Sequence, residues 1–185
     1  LLDVDGVCLD WQTAILDYAV ENHPHMVRHD VMNPHARELV QWLGISRQQA
    51  MNLIGDFHYS PSFEQLRPMP GAVAAIARLM EKYRLVAITS CGSDPLISSA
   101  RERNLQWAFG RAFSEIHCID MSDSKKPLLC SYAPTHWVED HVKNALLGLE
   151  CGHTSWLVDC AYNRDCPDKR VGRIASLRDL CDIIL

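Results

Sequence analysis

The sequence predicts one α/β domain, with a parallel, doubly wound sheet and a small helical insertion after the first strand. Short apolar segments rich in β-branched residues alternate with segments of helical periodicity along most of the chain. Several of the apolar segments end in acidic or hydroxyl residues. Strands that alternate with helices form parallel sheets joined by right-handed crossovers. Ligands bind beyond the carboxyl ends of such strands, so the polar residues there are candidates for a functional site.

The first predicted strand carries two carboxylates, Asp3 and Asp5, just before the chain turns at Gly6. Glycine permits a sharp turn and leaves room for a ligand. Two carboxylates one residue apart suit a hard cation such as Mg²⁺, and one oxygen is left as a nucleophile. A solvated turn is the alternative for these residues taken alone.

Residues 11–66 form the predicted helical insertion. We expect one helix over about 11–22, a second over about 34–43, and a third that starts where Ser46 and Gln49 fit a capping box.

Two stretches of this insertion concentrate ring side chains. Four of the nine histidines lie between positions 23 and 35, but their spacing matches no metal-ligand pattern, which favours a solvated loop over a metal site. Residues 57–63 are predicted to form an aromatic loop.

A helix over about 73–80 precedes the second strand. Its apolar stripe is expected to face the sheet and comprises Val73, Ile76, Ala77 and Met80. The strand over 85–89 ends in Thr89 and Ser90, and hydroxyls with free backbone N–H groups at a strand end suit a phosphate. An ordinary turn into a helix N-capped by Asp94 is the alternative.

The next strands flank a lysine pair. A third strand is expected over 116–119, followed by a short helix that opens at Lys125 and Lys126. Either lysine could offset charge on a phosphoryl group, and two surface lysines are the alternative. The fourth strand ends in Glu139 and Asp140.

A striped helix over about 142–149, a fifth strand over 154–159 and a final helix capped by Ser176 complete the prediction.

Taken in order, four of these segments resemble the signature motifs of the haloacid dehalogenase-like (HAD) phosphohydrolase superfamily. Asp3-Val-Asp5-Gly-Val resembles the first motif, Ile88-Thr89-Ser90 the second, Lys125 or Lys126 the third and Val138-Glu139-Asp140 the fourth. The resemblance covers residues 1 to about 160. It implies a Rossmann-like, HAD-like core over 1–10 and 67–185, with 11–66 in the place of the helical cap.

The resemblance also implies a magnesium-dependent phosphomonoester hydrolase. Asp3 would be the nucleophile, and Asp5 would be the general acid and base. Mg²⁺ would be held by Asp3, Asp5 through its backbone carbonyl, and Asp140, with Glu139 or Asn144 as support.

The phosphoryl oxygens would be bound by Thr89, Ser90 and one lysine. Lys126 precedes a proline, as in a common form of the third motif, whereas Lys125 stands at the better distance from the apolar pair that follows. The sequence leaves this choice open.

Asp5 favours phosphoester hydrolysis, because dehalogenase members of the superfamily lack an acid at that position. A looser resemblance to the 5'-nucleotidase and deoxyribonucleotidase branch rests on Phe63, Leu66, residues 68–72 and Asn163-Arg164. It implies a nucleoside monophosphate substrate, with Phe57 and Tyr59 as candidates to stack on the base. Trp42, on a helix face, is expected to pack the cap core instead. A sugar phosphate phosphatase and a catalytically silent binding domain are the alternatives.

The amino-acid composition and net charge of the chain limit the kinds of binding partner that we expect. Hydrophobic residues at 48% and charged residues at 22% are ordinary for a soluble globular protein. A net charge of -5 argues against a nucleic acid polymer as the binding partner. The sequence contains no run of 18 apolar residues, so we predict no membrane-spanning helix. We expect a cytoplasmic protein with a small-molecule phosphomonoester substrate, and nothing in the sequence defines its oligomeric state. The first strand begins almost at residue 1, which leaves open a longer chain with an upstream targeting segment.

All eight cysteines are expected to be free thiols, since no Cys-x-x-Cys pair occurs. Metal binding between Cys151 and Cys166, with His153, is the less favoured alternative.

Overall fold

The computed structural model describes residues 1–27, 33, 36, 38–166 and 168–185. The helices defined in these ranges are α1 Trp11–Asn22, α2 Leu39–Leu43, α3 Arg47–His58, α4 Ala72–Met80, α5 Pro95–Phe109, α6 Lys126–Ser131, α7 Val142–Glu150 and α8 Leu177–Ile184. The strands are β1 Leu85–Thr89, β2 Phe113–Cys118, β3 His136–Glu139, β4 Thr154–Val158 and β5 Gly172–Ile174. No helix within these ranges is both long and apolar enough to cross a bilayer.

The strands pair in parallel, as predicted, and residues 1–3, the N-terminal segment, join the two halves of the sheet. β1 pairs with β2, and β4 pairs with both β3 and β5. Leu2 forms parallel bridges to Ala87 and to Val138, so it lies between β1 and β3. The order across the sheet is therefore β2, β1, the N-terminal segment, β3, β4, β5.

Successive side chains along β1 point to opposite faces of the sheet and pack into different hydrophobic cores. Helices cover both faces because both faces carry apolar side chains. Ala87 belongs to a large core that includes residues of α4, α8 and the helical insertion. Its neighbours Val86 and Ile88 pack with Leu129 and Trp137 in a smaller core. This period-two pattern confirms the doubly wound α/β architecture.

Most of the predicted elements are confirmed, with local corrections. β2 begins at Phe113 rather than 116, and the short strand β5 was not predicted. The stripe predicted for α4 is confirmed only at Ile76, because the buried residues of this helix are Ala72, Ala75, Ile76 and Leu79. Val73 is 52% exposed and Met80 is 49% exposed. The segment is apolar almost all round, so its periodicity did not fix which face turns inward.

The helical insertion leaves and rejoins the sheet through a short antiparallel pairing. Leu9 bridges to Pro68, and the Asp10 N–H donates to the Arg67 carbonyl at 2.9 Å. The capping box of Ser46 is confirmed. The hydrophobic core of the insertion is continuous with that of the sheet, and its role as a cap stays a prediction. The predicted start of the second helix and two of the clustered histidines, His29 and His35, lie outside the described residues.

The predicted aromatic loop is wrong in its first part. Phe57 and His58 form the last turn of α3, and both are buried. Phe63 is buried in a 3-10 turn over Pro61–Gln65. The helix continues because Pro61, the nearest proline, stops it only after His58. Only Tyr59 of these rings is exposed.

The prediction of eight free thiols is also wrong. Cys130 and Cys151 form a disulfide, with their Cα atoms 4.8 Å apart, and the other six cysteines are free. The partners are 21 residues apart in sequence and become neighbours because α6 packs beside α7. Because Cys151 is in the disulfide, it cannot be a thiolate ligand in the alternative metal site with His153 and Cys166.

Candidate active site

The candidate site lies at the carboxyl edge of the sheet, where the N-terminal segment and β3 end side by side. The Asp3 N–H donates to the Val138 carbonyl at 2.9 Å, so Asp3 leaves the sheet next to Glu139 and Asp140. All three acidic residues are buried. Their carboxylates offer oxygens that lie within 4.8 Å of one another. The predicted convergence of Asp3 and Asp140 is therefore confirmed.

Lys125 neutralises part of this acidic cluster. Its Nζ lies 2.7 Å from Asp3 Oδ1 and 2.8 Å from Glu139 Oε1, and the side chain is buried. Burial alone would lower the pKa of Lys125, but the two carboxylates outweigh it and raise that pKa. Lys126 points elsewhere, because its Nζ pairs with Glu150 at 2.7 Å and its side chain is half exposed. The structure thus brings Lys125 into the cluster and leaves Lys126 out.

Both carboxylate oxygens of Glu139 accept hydrogen bonds from groups around the cluster. Oε1 accepts from Lys125 and from Asn144 Nδ2, at 2.8 and 2.7 Å. Oε2 accepts from the backbone N–H groups of Asp140 and His141, at 2.8 and 2.7 Å. Burial opposes ionisation, but Lys125 and these N–H donors hold the pKa of Glu139 below its usual value. Glu139 therefore anchors Lys125 and the turn after β3, and its predicted part in a metal site stays a prediction.

The remaining donor set fits a hard divalent cation. Asp3 and Asp140 supply carboxylate oxygens, the ligands that Mg²⁺ prefers. Three buried carboxylates face one ammonium group here, which leaves an excess of negative charge. Burial, with the charge of Glu139, raises the pKa of Asp3 to about 7. A cation at the cluster would relieve this excess.

The absence of a side chain at Gly6 leaves room for the Asp140 carboxylate. The backbone of Gly6 has φ of 78°, in the left-handed region that favours glycine. A Cβ atom at this position would overlap Asp140 Oδ2. The predicted turn after Asp5 is confirmed, and its glycine is required by the close approach of the side chain from β3.

Asp5 pairs with a buried arginine that the sequence analysis missed. Arg101 Nη2 lies 2.7 Å from Asp5 Oδ1 and 2.8 Å from Oδ2. The guanidinium stacks over the Phe63 ring at 4.4 Å and is fully buried, whereas the Asp5 side chain is about a quarter exposed. The Asp5 carboxylate therefore remains accessible to a ligand, while the buried Arg101 fixes its orientation.

Thr89 and Ser90 end β1 at the same edge of the sheet. Thr89 is fully buried, and its Oγ1 has no hydrogen-bond partner among the described residues. A buried hydroxyl without a partner is costly, so this atom suits a ligand oxygen. Ser90 is half-buried.

The two predicted substrate residues differ. Phe57 cannot contact a substrate, because it is fully buried and packs against Phe63, with ring centroids 5.7 Å apart. Tyr59 is 59% exposed and lies near Asp94 at the start of α5. Trp42 is buried in the core, as predicted.

Two residues around the site carried signals that were not used. Arg101 falls on the buried face of α5, in phase with Ile97 and Asn104, and a charged residue in such a stripe indicates a buried partner. Tyr162 donates a short hydrogen bond to Asp140 Oδ2 from the turn after β4. It directly precedes Asn163, which the sequence resemblance had singled out.

We compared the chain with protein-family models, with curated proteins and with solved structures. No protein-family model matches the chain. Over 160 residues it is 28% identical to an uncharacterized 32.4 kDa protein from the Gp30-rIII intergenic region of Enterobacteria phage T4, a match that covers 84% of this chain and 56% of that protein. The chain thus spans about half the length of this curated relative.

Several solved structures are similar over nearly the whole chain. A haloacid dehalogenase-like hydrolase from Streptococcus pneumoniae has a TM-score of 0.70 at 13% identity, covering 100% of this chain and 96% of its own. A putative HAD-hydrolase from Bacillus subtilis bound to magnesium has a TM-score of 0.65 at 15% identity, covering 99% and 96%. An L-2-haloacid dehalogenase from Xanthobacter autotrophicus, with chloropropionic acid covalently bound, has a TM-score of 0.64 at 11% identity, covering 99% and 96%. The chain therefore has the haloacid dehalogenase-like fold.

Proposed function

We propose that this protein is a magnesium-dependent phosphomonoester hydrolase that acts through an aspartyl-phosphate intermediate. The observation that carries the proposal is the buried cluster of Asp3, Asp140 and Lys125, with Asp5 two residues beyond Asp3. The cluster combines a nucleophile, a cation for phosphoryl charge and oxygens for a metal on one edge of the sheet. The magnesium-bound Bacillus subtilis structure of the same fold supports the choice of metal.

Each residue has a defined task in this proposal. A carboxylate oxygen of Asp3 attacks phosphorus while the bond to the leaving oxygen breaks, and Asp5 gives that oxygen a proton. Asp5 then takes a proton from water, whose oxygen attacks phosphorus and releases phosphate and the Asp3 carboxylate. Lys125 and the Thr89 hydroxyl bind the phosphoryl oxygens throughout. Mg²⁺, held by Asp3, Asp140 and the Asp5 carbonyl, would supply positive charge that lets two anions approach.

Asp5 favours phosphate over a haloacid as substrate. Hydrolysis of a phosphate ester needs a proton donor for the leaving oxygen, whereas a halide leaves without one. The contact with Arg101 keeps the Asp5 side chain oriented at the site, and Asp5 must carry a proton on one oxygen to act as the acid in the first step.

We propose a nucleoside as the leaving group. Tyr59 is the exposed ring of the predicted substrate pair and could stack on a base for about 1–3 kcal/mol. The alternative substrate is a sugar phosphate. The core motifs define the phosphate chemistry, but segments outside those motifs contact the leaving group and decide between the two.

Hydrolysis assays with Mg²⁺ and p-nitrophenyl phosphate test the chemistry. Asp3→Asn should abolish turnover, and Lys125→Ala should lower kcat by a factor on the order of 100 or more. Lys126→Ala is the matched control and should retain the wild-type rate, because this lysine pairs with Glu150 outside the cluster. Turnover by Asp3→Asn at the wild-type rate would refute the proposed mechanism.

A substrate comparison tests the finer proposal. Nucleoside monophosphates should give higher kcat/KM than sugar phosphates, and 2-chloropropionate should release no chloride. Equal rates for nucleotides and sugar phosphates would exclude the nucleotidase proposal and leave the phosphatase proposal standing. Chloride release that depends on Asp3 would instead indicate a dehalogenase.

A further inference from the structure

The carboxylate of Asp140 is held from two sides by parts of the chain that are distant in sequence. Gly6 packs directly against it, so closely that a Cβ atom there would overlap Oδ2. The Tyr162 hydroxyl donates a hydrogen bond to the same oxygen. A carboxylate on a short side chain can otherwise rotate, so these two contacts fix one orientation.

The turn that carries Tyr162 is itself built onto the end of the sheet. Asn163 Nδ2 donates to the Asp140 carbonyl at 2.8 Å and to the Val158 carbonyl at 2.7 Å. Its Oδ1 accepts from the Cys160 N–H at 3.2 Å and from Arg173 Nη1, also at 3.2 Å. Asn163 is buried and uses both ends of its amide. The position of Tyr162 is therefore set by β4, by β5 and by the backbone of Asp140.

We propose that Tyr162 is a positioning residue for the metal site, and that its hydroxyl holds the Asp140 carboxylate in the rotation that binds Mg²⁺. This inference rests on the magnesium-dependent function proposed above. Partners that orient a metal-binding carboxylate contribute strongly to affinity, and removing one typically weakens metal binding about 10–100-fold. The Tyr162 hydroxyl contacts Asp140, so its effect on the metal would run through Asp140.

The test is a direct measurement of Mg²⁺ binding by isothermal titration calorimetry in the absence of substrate. Tyr162→Phe removes the hydroxyl and keeps the ring, and we expect its Kd for Mg²⁺ to rise about 10–100-fold. Tyr132→Phe is the matched control, because the Tyr132 hydroxyl bonds to Glu115 at 2.6 Å, away from the cluster. Its Kd should equal that of the wild type. Thermal unfolding in EDTA establishes that each variant is folded.

A double variant separates positioning from a general structural role. Asp140→Asn alone should weaken binding, and adding Tyr162→Phe to it should cause no further loss, because the carboxylate that Tyr162 orients is already gone. Additive losses would show that Tyr162 acts elsewhere and would overturn the inference.

The remaining outcomes distinguish the two proposals. Equal or tighter binding in Tyr162→Phe, while the wild type binds Mg²⁺, overturns the role of Tyr162 and leaves the proposed function intact. Absence of Mg²⁺ binding by the wild type overturns the proposed metal site, and this inference with it.

Discussion

One buried imidazole, His58, should make a destabilising contribution to the folded protein as the pH falls. This residue ends α3 and is only 4% exposed. Its Nε2 accepts a hydrogen bond from Trp11 Nε1 at 3.3 Å, and the ring also lies against the backbone of Cys91. The neutral ring satisfies both contacts. A second proton would meet the Trp11 N–H and would place a positive charge close to Arg101.

The size of the effect follows from the pKa of His58. Burial, helped by the charge of Arg101, lowers that pKa from 6.5 to about 3. Below pH 6.5 the unfolded chain takes up a proton here, and the folded protein does not until about pH 3. The unfolded state then binds more protons, so the free energy of unfolding falls as pH falls through this window. Between pH 7 and pH 5 the loss is about 2 kcal/mol.

Urea unfolding of the wild type and of His58→Gln at pH 7, 6 and 5 measures this loss. Glutamine can both accept from Trp11 and donate to the backbone, but it does not titrate. The free energy of unfolding of the wild type should fall by about 2 kcal/mol relative to the variant. Asp3, whose raised pKa acts in the opposite direction, cancels in the comparison. A difference that stays constant from pH 7 to pH 5 would refute the reasoning.

Three further predictions follow from other contacts. Gly6→Ala should weaken Mg²⁺ binding at least about tenfold, because it strains a left-handed residue and displaces Asp140, and calorimetry measures it. Thiol titration of the denatured, unreduced protein should find six reactive groups and eight after reduction, and reduction should cost about 3 kcal/mol of unfolding free energy for a 21-residue loop. Eight groups without reduction would contradict the Cys130–Cys151 bond. Tyr59→Ala should raise KM for a nucleoside monophosphate more than for p-nitrophenyl phosphate, and equal effects would remove Tyr59 from the substrate site.

The sequence was sufficient for features that depend on local pattern. β1 and β3 are largely apolar and end in polar residues, β4 is followed directly by Asp159, and the capping box of Ser46 depends on neighbours three positions apart. The convergence of Asp3 with Asp140 was implied by the resemblance to the haloacid dehalogenase-like motifs, and it is consistent with the rule that the carboxyl ends of parallel strands share one edge.

The errors concern choices that only tertiary packing makes. The choice between Lys125 and Lys126 depends on which side of α6 faces the sheet. Arg101 meets Asp5 from 96 positions away, and no local pattern specifies that pairing. Phe57 was assigned to a loop because aromatic residues cluster there, but the large core that it joins favours continued helix.

The N-terminal segment also sets the order in which the fold can be completed. It is the only connection between the β1–β2 and β3–β4–β5 parts of the sheet among the described residues. Its contact with β3 closes a loop of 135 residues, from the Leu1 amino group to the His136 carbonyl. Contacts that span such separations form late, because the entropy of closing the chain must be lost before they stabilise anything. Asp3 therefore reaches its place beside Asp140 only when the two halves of the sheet meet.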